Sequence, residues 1–403
     1  MLAIIATVCG NLNNVDRLIG EVRRVRVPLE NMSITVHFRD REHEIRKFLT
    51  STLKSRGVSL IFGPRGAGKS TFVKVLSDAM RRVGGFDDIA FVRYTFGEEM
   101  LRETRVNIPG LGIDVIQELE GVANINLSMD PLSLGMNLVK PILILARAVR
   151  SYGLRDKRIV VVYDDIDRFL RKYGYEVLDA VANKIPDVIR EHDVWVKALF
   201  MVSDQAAVNM AMRVSPKGGM RPYLLWNLPR SAFGEVVNEI AELTRAKNID
   251  TELLWNLLGG NVRELEILVN NYGWDISAWL REVIRRVITA FEKYVGPGSF
   301  LSIDDALRWL VGKGRVAARD YGLGEFTGQP DAVEGVLGLL EENVMIYVGL
   351  PGLEALSELP NEPWIGKRYA YQIPAYHWVM RVMIESKSVG IDAEHVLKAM
   401  SST

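Results

Sequence analysis

Cysteine is almost absent from this 403-residue chain, since Cys9 is the only one. A single cysteine excludes a disulfide within the chain, and it excludes a zinc site built from cysteine pairs. Such a composition suits a reducing compartment, and we expect a cytoplasmic protein.

Net charge is absent as well, because 50 basic side chains balance 50 acidic ones. The chain therefore lacks the overall basic field that recruits nucleic acid, although a local basic patch is still possible. No apolar run is long enough to span a bilayer, and residues 2–9 are too short, so we expect no membrane partner. Hydrophobic residues make up 48% of the chain, which is enough for large cores in two or three domains.

A glycine-rich loop is the most informative stretch that the sequence contains. Residues 63–70, GPRGAGKS, fit the pattern G-x-x-x-x-G-K-[ST]. The apolar run 58–62 precedes this loop, and helical periodicity follows it. Strand, loop and helix in this order gather backbone N–H groups and the positive end of a helix dipole at one point. We therefore predict a phosphate-binding loop rather than a chance match.

The chemistry of this loop points to a nucleoside triphosphate. Lys69 is predicted to reach the β- and γ-phosphates as a catalytic residue, and the Ser70 hydroxyl to ligate Mg²⁺. We therefore expect ATP, ADP and Mg²⁺ as ligands. The candidate nucleotide-binding residues of the loop are Gly63, Pro64, Arg65, Gly66, Ala67, Gly68, Lys69, Ser70 and Thr71.

An acidic pair, Asp164 and Asp165, follows the apolar run at 159–163. Ligands gather at the carboxyl ends of parallel strands, so Asp164 is expected to hold Mg²⁺ next to Ser70. Asp165 is placed to polarise a water for attack on the γ-phosphate. The alternative interpretation is that the pair caps the next helix.

Two further residues are candidates for contact with the nucleotide. Ser203 ends another apolar run, where it can sense the γ-phosphate; capping of the next helix by Ser203 or Asp204 is an equally good interpretation. Arg263 lies in the first turn of a helix that Asn261 can cap. A cation there opposes the helix dipole, so a nearby phosphate would explain it, as would a surface ion pair with Glu266 or Glu242.

An arginine finger is also conceivable, but the sequence does not select one. The candidates lie on or near the loop after the fourth strand: Arg213, Lys217, Arg221 and Arg230.

The order of apolar runs predicts an α/β fold. Strands are expected at 58–62, 89–96, 159–163, 195–202 and 223–228, with helices at 69–83, 138–151, 173–190 and 204–212. Alternation of this kind is typical of a parallel sheet covered on both faces. From residue 231 the pattern is helical, and after Gly-Pro-Gly at 296–298 two helices and two strand-like runs suggest a winged helix.

Several boxes resemble the archaeal ATPase group, in the STAND and AAA-like branch of P-loop NTPases. They are FRDREHEI at 38–45, GPRGAGKST, VVVYDDID and GGNVREL, in the order and spacing of that group, and the tail YAYQIPAYHWVMRVMI resembles its winged helix. The similarity covers roughly residues 36–385.

This resemblance implies a three-layer P-loop NTPase sandwich with a parallel sheet, a helical lid and a winged helix. We divide the chain into an arm (1–37), a core (38–230, with an insertion at 105–137), a lid (231–296) and a winged-helix-like domain (297–403). The resemblance places Phe38 and Arg39 near the adenine and makes Arg263 a sensor-2-like arginine. Many relatives have glutamate where Asp165 stands, which implies slow hydrolysis.

Three functions are compatible with these features. The leading hypothesis is an ATPase that hydrolyses ATP to ADP and phosphate and works as a conformational switch. The second is a DNA-binding ATPase akin to archaeal replication initiators, motivated by the candidate winged helix and a local basic set: Arg308, Lys313, Arg315 and Arg319. The third is a scaffold whose winged helix binds a protein, and oligomerisation is possible in each case.

Overall fold

The computed structural model describes residues 13–96, 101–108, 111–121, 131–203, 220–292, 300, 302–320, 322–323, 325–337, 343–349 and 353–401. Cys9, the predicted helix at 204–212, and the finger candidates Arg213 and Lys217 lie outside the described residues.

Seven of the strands form one sheet. The strands are β1 Arg26–Pro28, β2 Thr35–His37, β3 Gly57–Phe62, β4 Ile89–Phe96, β5 Leu101–Asn107, β6 Arg158–Asp164, β7 Val196–Val202, β8 Met220–Leu224, β9 Met345–Tyr347, β10 Glu354–Ala355 and β11 Tyr369–Tyr371. The sheet order is β10-β8-β3-β7-β6-β4-β5, and only the β4–β5 pair is antiparallel. The strand before the glycine-rich loop therefore lies inside the sheet.

The helices cover both faces of this sheet and then continue beyond it. They are α1 13–22, α2 Glu42–Thr50, α3 Lys69–Val83, α4 Ile113–Gly121, α5 Pro131–Ser151, α6 Asp167–Tyr173, α7 Glu176–His192, α8 Arg230–Thr244, α9 Thr251–Leu258, α10 Val262–Tyr272, α11 Ile276–Glu292, α12 Ile303–Asp320, α13 Pro330–Leu337, α14 Pro374–Ser386 and α15 Ala393–Ser401. Helices α5 and α7 pack on one face and α1–α3 on the other. The predicted α/β sandwich with a mostly parallel sheet is confirmed.

Several predicted elements differ in their bounds, and the helix expected at 138–151, for example, begins earlier, at Pro131. The helix expected at 173–190 is α7, Glu176–His192, and it is preceded by the separate helix α6, which ends at Tyr173 because the φ of Gly174, +96°, is left-handed. The strand expected at 223–228 is Met220–Leu224; the Leu225 N–H still donates to the Phe62 carbonyl of β3, but the backbone beyond it bonds outside the ladder. The N–H of Trp226, for example, donates to the hydroxyl of Ser357 at 2.9 Å.

The C-terminal half is built around a separate core. Helices α8–α11 and α12–α15 share this core, which contains Trp255, Trp279 and Tyr371. The antiparallel pair β9–β11 lies in the same region. Helices followed by a two-stranded sheet match the predicted pattern, while the winged-helix assignment itself stays a prediction. Within the described residues, no helix combines the length and apolarity that a membrane span requires.

One segment of the C-terminal half returns to the first sheet. The two residues of β10 pair in parallel with β8 and extend the sheet at that edge. Ser51 donates to the Glu354 carboxylate at 2.7 Å, and Ser357 donates to the buried Glu44 carboxylate at 2.9 Å. The connection at 349–366 thus contributes a strand to the seven-stranded sheet of the N-terminal half.

Candidate nucleotide site

The glycine-rich loop connects β3 to α3, as its flanking patterns predict. Gly66 and Gly68 have φ values of +90° and +79°, a left-handed conformation that side chains other than glycine rarely adopt. Gly68 is also the N-cap of α3, so the first helical N–H groups adjoin the loop. This backbone has the form of an anion-binding loop at a helix N-terminus.

Neighbouring backbone and side chains pack closely against two of the loop glycines. A Cβ on Gly63 would lie 1.9 Å from the carbonyl oxygen of Leu225. A Cβ on Gly66 would lie 2.5 Å from both the Asn261 side-chain oxygen and the Arg263 Cβ. Glycine is therefore required at both positions, and at Gly66 the reason is contact with the lid.

Lys69 is buried beneath the loop. Its ammonium group donates to the carbonyls of Gly63 and Pro64, each at 2.9 Å. Burial lowers the pKa of Lys69 to about 8, although the carboxylates of Asp167, Asp165 and Asp164 act in the opposite direction. The ammonium is thus held at the loop by carbonyls that a phosphate oxygen can replace.

Ser70 and Asp164 meet at the carboxyl end of β6. The Ser70 hydroxyl donates to Asp164 Oδ1 at 2.6 Å, and Asp164 is 2% exposed. Burial raises the pKa of the Asp164 carboxyl above its usual range, and Arg93, at 3.8 Å, counteracts that rise. A hydroxyl and a carboxylate side by side are the oxygen donors that Mg²⁺ takes alongside phosphate oxygens, so the residues present fit this ion.

Asp165 has a strained backbone. Its φ is +55°, which is uncommon for a residue other than glycine, and its side chain is exposed. The Asp165 N–H donates to Asp164 Oδ1 at 3.1 Å. The N-cap of α6 is Ile166, without a side-chain capping bond, so the Asp165 carboxylate does not cap this helix. Strain of this kind clusters at functional sites.

Ser203 reaches the same edge of the sheet through its backbone. Its N–H donates to the Asp167 carboxylate at 2.7 Å, which joins the end of β7 to the start of α6. Ser203 itself is half-buried.

Arg41 supports the loop from below, and sequence reasoning missed it. This side chain is 3% exposed and donates to the carbonyls of Ala67, at 2.8 Å, and Trp226, at 3.0 Å. Its other nitrogen pairs with Glu44 at 2.8 Å. The only signal for Arg41 in the sequence is its place within the FRDRE box, next to the predicted adenine contacts Phe38 and Arg39.

Three buried amides from distant parts of the chain form a hydrogen-bonded cluster, and two of them bond to the backbone of Arg65. The Gln372 side chain accepts from the Arg65 N–H at 3.1 Å, and Asn261 Nδ2 donates to the Arg65 carbonyl at 2.9 Å. Asn227 joins the two, because its Nδ2 donates to the Gln372 carbonyl at 3.1 Å and its oxygen lies 3.3 Å from Asn261 Nδ2. We call Asn227, Asn261 and Gln372 the amide clamp.

Arg263 lies beside the loop, as its Cβ contact with Gly66 requires. Its guanidinium makes no hydrogen bond or ion pair within the described part of the chain. Glu266, one of its predicted partners, accepts instead from the N–H of Asn31, and Arg263 attracts that carboxylate only at longer range. Asn261 caps α10, accepting from the Glu264 N–H at 3.1 Å, as predicted.

The other predicted residues have structural contacts. Arg39 pairs with Glu235 at 2.5 Å and Glu239 at 2.9 Å on α8, and Phe38 is half-buried against the core next to α1–α3. Among the finger candidates, Arg230 pairs with Glu252, and Arg221 lies near the amino end of β8, away from the loop.

Comparison with known families identifies the fold's relatives. The profile of a family described as an ATPase domain predominantly from Archaea matches residues 38–268. The chain belongs to this archaeal ATPase family. All residues of the candidate site in this archaeal ATPase lie within the match except Gln372. Comparison with curated protein sequences finds no match.

Several solved structures resemble this archaeal ATPase at low identity. A Walker-type ATPase of Pyrococcus abyssi is 14% identical, with 85% of this chain and 95% of that chain covered and a TM-score of 0.44. The ORC2 protein of Aeropyrum pernix, in ADPNP and ADP complexes, is 16% identical over 75% and 79%, with a TM-score of 0.38. The ORC1 protein of the same organism, in complex with DNA, is 12% identical over 93% and 95%, with a TM-score of 0.38.

Proposed function

We propose that this protein binds ATP and hydrolyses it to ADP and phosphate, and that it works as a nucleotide-dependent conformational switch. Support comes from family membership, from the left-handed glycines of the loop, and from the contact between Ser70 and Asp164. Lys69 exchanges its two loop carbonyls for phosphate oxygens.

Ser70 and Asp164 would hold Mg²⁺, which when bound neutralises charge on the phosphates. Asp165 is the residue we assign to hydrolysis. Its carboxylate is exposed, free of a capping role and next to the phosphate-facing edge of β6. There it accepts a proton from the attacking water. Arg263 supplies a cation from the lid.

The proposed conformational switch rests on the amide clamp. The Arg65 N–H of the phosphate-binding loop donates to Gln372 of the C-terminal half. The Arg65 carbonyl accepts from Asn261 of the lid. A phosphate that takes the Arg65 N–H must displace Gln372, so nucleotide occupancy and the position of the C-terminal half are linked.

The test uses purified protein, with ATP affinity and turnover measured separately. Lys69→Ala should abolish detectable ATP binding, while Lys74→Ala, a lysine one turn further along α3, should leave it within twofold. Asp165→Asn should retain ATP affinity and lose turnover at least a hundredfold. Unchanged ATP affinity in Lys69→Ala would contradict the nucleotide assignment, and unchanged turnover in Asp165→Asn would contradict its catalytic role.

A second candidate function is DNA binding through α12. Arg308, Arg315 and Arg319 are spaced seven and four residues apart, so they share one face of this helix. All three are exposed, and the exposed Trp309 flanks them. Duplex DNA should then bind with an affinity that falls steeply with salt, and Arg315→Ala with Arg319→Ala should reduce the salt slope. Absence of binding at low salt would remove this candidate.

A further inference from the structure

A cationic cavity lies at the amino ends of the central strands. Its volume is ≈ 360 Å³, and it is lined by Arg56, Arg190, Lys197 and Arg221, together with Ser55, Gly57 and three apolar side chains. The described lining therefore carries four cations and no carboxylate. The loop that binds phosphates in the proposed function begins at the opposite ends of the same strands. β3 spans six residues, so the two sites are about 20 Å apart.

Lys197 is the residue that makes this cavity unusual. It stands within β7 and is 1% exposed, yet it makes no hydrogen bond or ion pair with any residue that the structure describes. Burial lowers the pKa of Lys197 to about 8, and repulsion from Arg221 adds to the effect. A buried ammonium without a partner is destabilising, and a bound anion would relieve that cost.

The carboxylates near the cavity do not neutralise its positive charge. Arg56 and Arg190 reach Asp193 and Asp187, at 3.3 and 3.2 Å, but these are surface pairs of small energetic value. Gly57 lies opposite Lys197 in the β3–β7 register, and a Cβ added there would meet nothing within 4 Å. Space is therefore available next to the lysine.

We propose that this cavity binds the phosphate group of a small molecule, at a site distinct from the glycine-rich loop. A phosphate dianion matches several convergent cations better than a single carboxylate does, because it offers more charge and more acceptor oxygens. Arg56, Arg190 and Arg221 would supply the entrance of the site, and Lys197 its floor.

The experiment titrates inorganic phosphate and AMP into protein that carries Lys69→Ala, which disables the loop site. In that background Lys197→Met should weaken phosphate affinity at least tenfold, and Lys197→Arg should retain most of it. Lys184→Met, an exposed lysine on α7, is the matched control and should change nothing. Arg221→Gln should weaken phosphate about threefold, which provides a second test if Lys197→Met does not fold.

In protein that keeps Lys69, the substitution Lys197→Met should leave ATP affinity unchanged. Failure of the proposed phosphate cavity can therefore be distinguished from failure of the proposed ATP site. Equal phosphate affinity with and without Lys197→Met would overturn the proposal. Binding of duplex DNA that depends on Lys197, without binding of phosphate or AMP, would also overturn it, since the site would then serve a phosphodiester backbone.

Discussion

The side-chain oxygen of Gln372 accepts a hydrogen bond from the backbone N–H of Arg65 at 3.1 Å, across 307 positions of the chain. Arg65 belongs to the loop that follows β3, and Gln372 follows β11 in the C-terminal half. Gln372 is 5% exposed, so the bond is shielded from water. The bond therefore links the loop directly to the C-terminal half of the molecule.

Replacement of Gln372 by alanine should strengthen ATP binding. The substitution removes a group that competes with phosphate for the Arg65 N–H, and one net hydrogen bond of about 1 kcal/mol corresponds to roughly fivefold in affinity. Calorimetry measures the affinity, and amide exchange over residues 369–386 should lose its dependence on nucleotide.

Gln329→Ala is the control for this substitution. Gln329 also lies in the C-terminal half, and its side-chain amide accepts from the Thr327 N–H and donates to the Glu325 carbonyl. It does not touch the loop, so ATP affinity should be unchanged. Weaker ATP binding by Gln372→Ala would mean that Gln372 positions the loop instead of competing with the ligand.

Alanine at Gly66 should loosen the lid, whereas alanine at Gly68 should not. Both glycines are left-handed, so both substitutions strain the backbone by about 1–2 kcal/mol. Only at Gly66 does the new Cβ collide with Asn261 and Arg263; at Gly68 it meets nothing within 4 Å. Amide exchange over α10 should rise in Gly66→Ala alone. Equal exchange in the two variants would show that contact with the lid is not the reason for Gly66.

The pH dependence of ATP binding should follow Lys69. Only the ammonium form attracts phosphate, and the pKa of this group is about 8 in the free protein. A bound triphosphate raises that pKa, so affinity should be greatest below about pH 7 and fall by up to tenfold per unit well above pH 8. Calorimetry in buffers of different ionisation enthalpy should detect proton uptake at pH 9. Affinity that is flat from pH 7.5 to 9.5 would contradict this assignment.

Arg41→Met should be strongly destabilising. It leaves Glu44 buried without its partner and removes the donor from the carbonyls of Ala67 and Trp226. Breaking a buried ion pair costs about 3–5 kcal/mol in the free energy of unfolding. Denaturant titration measures the change, with the exposed Arg24→Met as the control expected within about 0.5 kcal/mol. A difference between the two variants below about 1 kcal/mol would refute the supporting role of Arg41.

Local patterns in the sequence predict the elements of the fold but not the clamp. The strand at 57–62, the left-handed loop and the helix from Lys69 follow from residues within a few positions of one another. The hydrogen bonds of the amide clamp join residues 34 to 307 positions apart, and no periodicity indicates which buried amide will reach the loop. The same holds for β10, since a two-residue strand within a connection rich in proline and glutamate leaves no pattern.

Deletion of the C-terminal half should destabilise the N-terminal half. Glu354 and Ala355 pair with the edge of β8. Ser357 donates to Glu44, and Glu44 forms an ion pair with Arg41, which donates to the Ala67 carbonyl. A truncation after residue 296 would expose the edge of β8, which favours aggregation. It would also remove the Ser357 hydroxyl that donates to the buried Glu44 carboxylate. In the proposed switch, β10 and Ser357 would therefore stay with the first sheet while the rest of the C-terminal half moves.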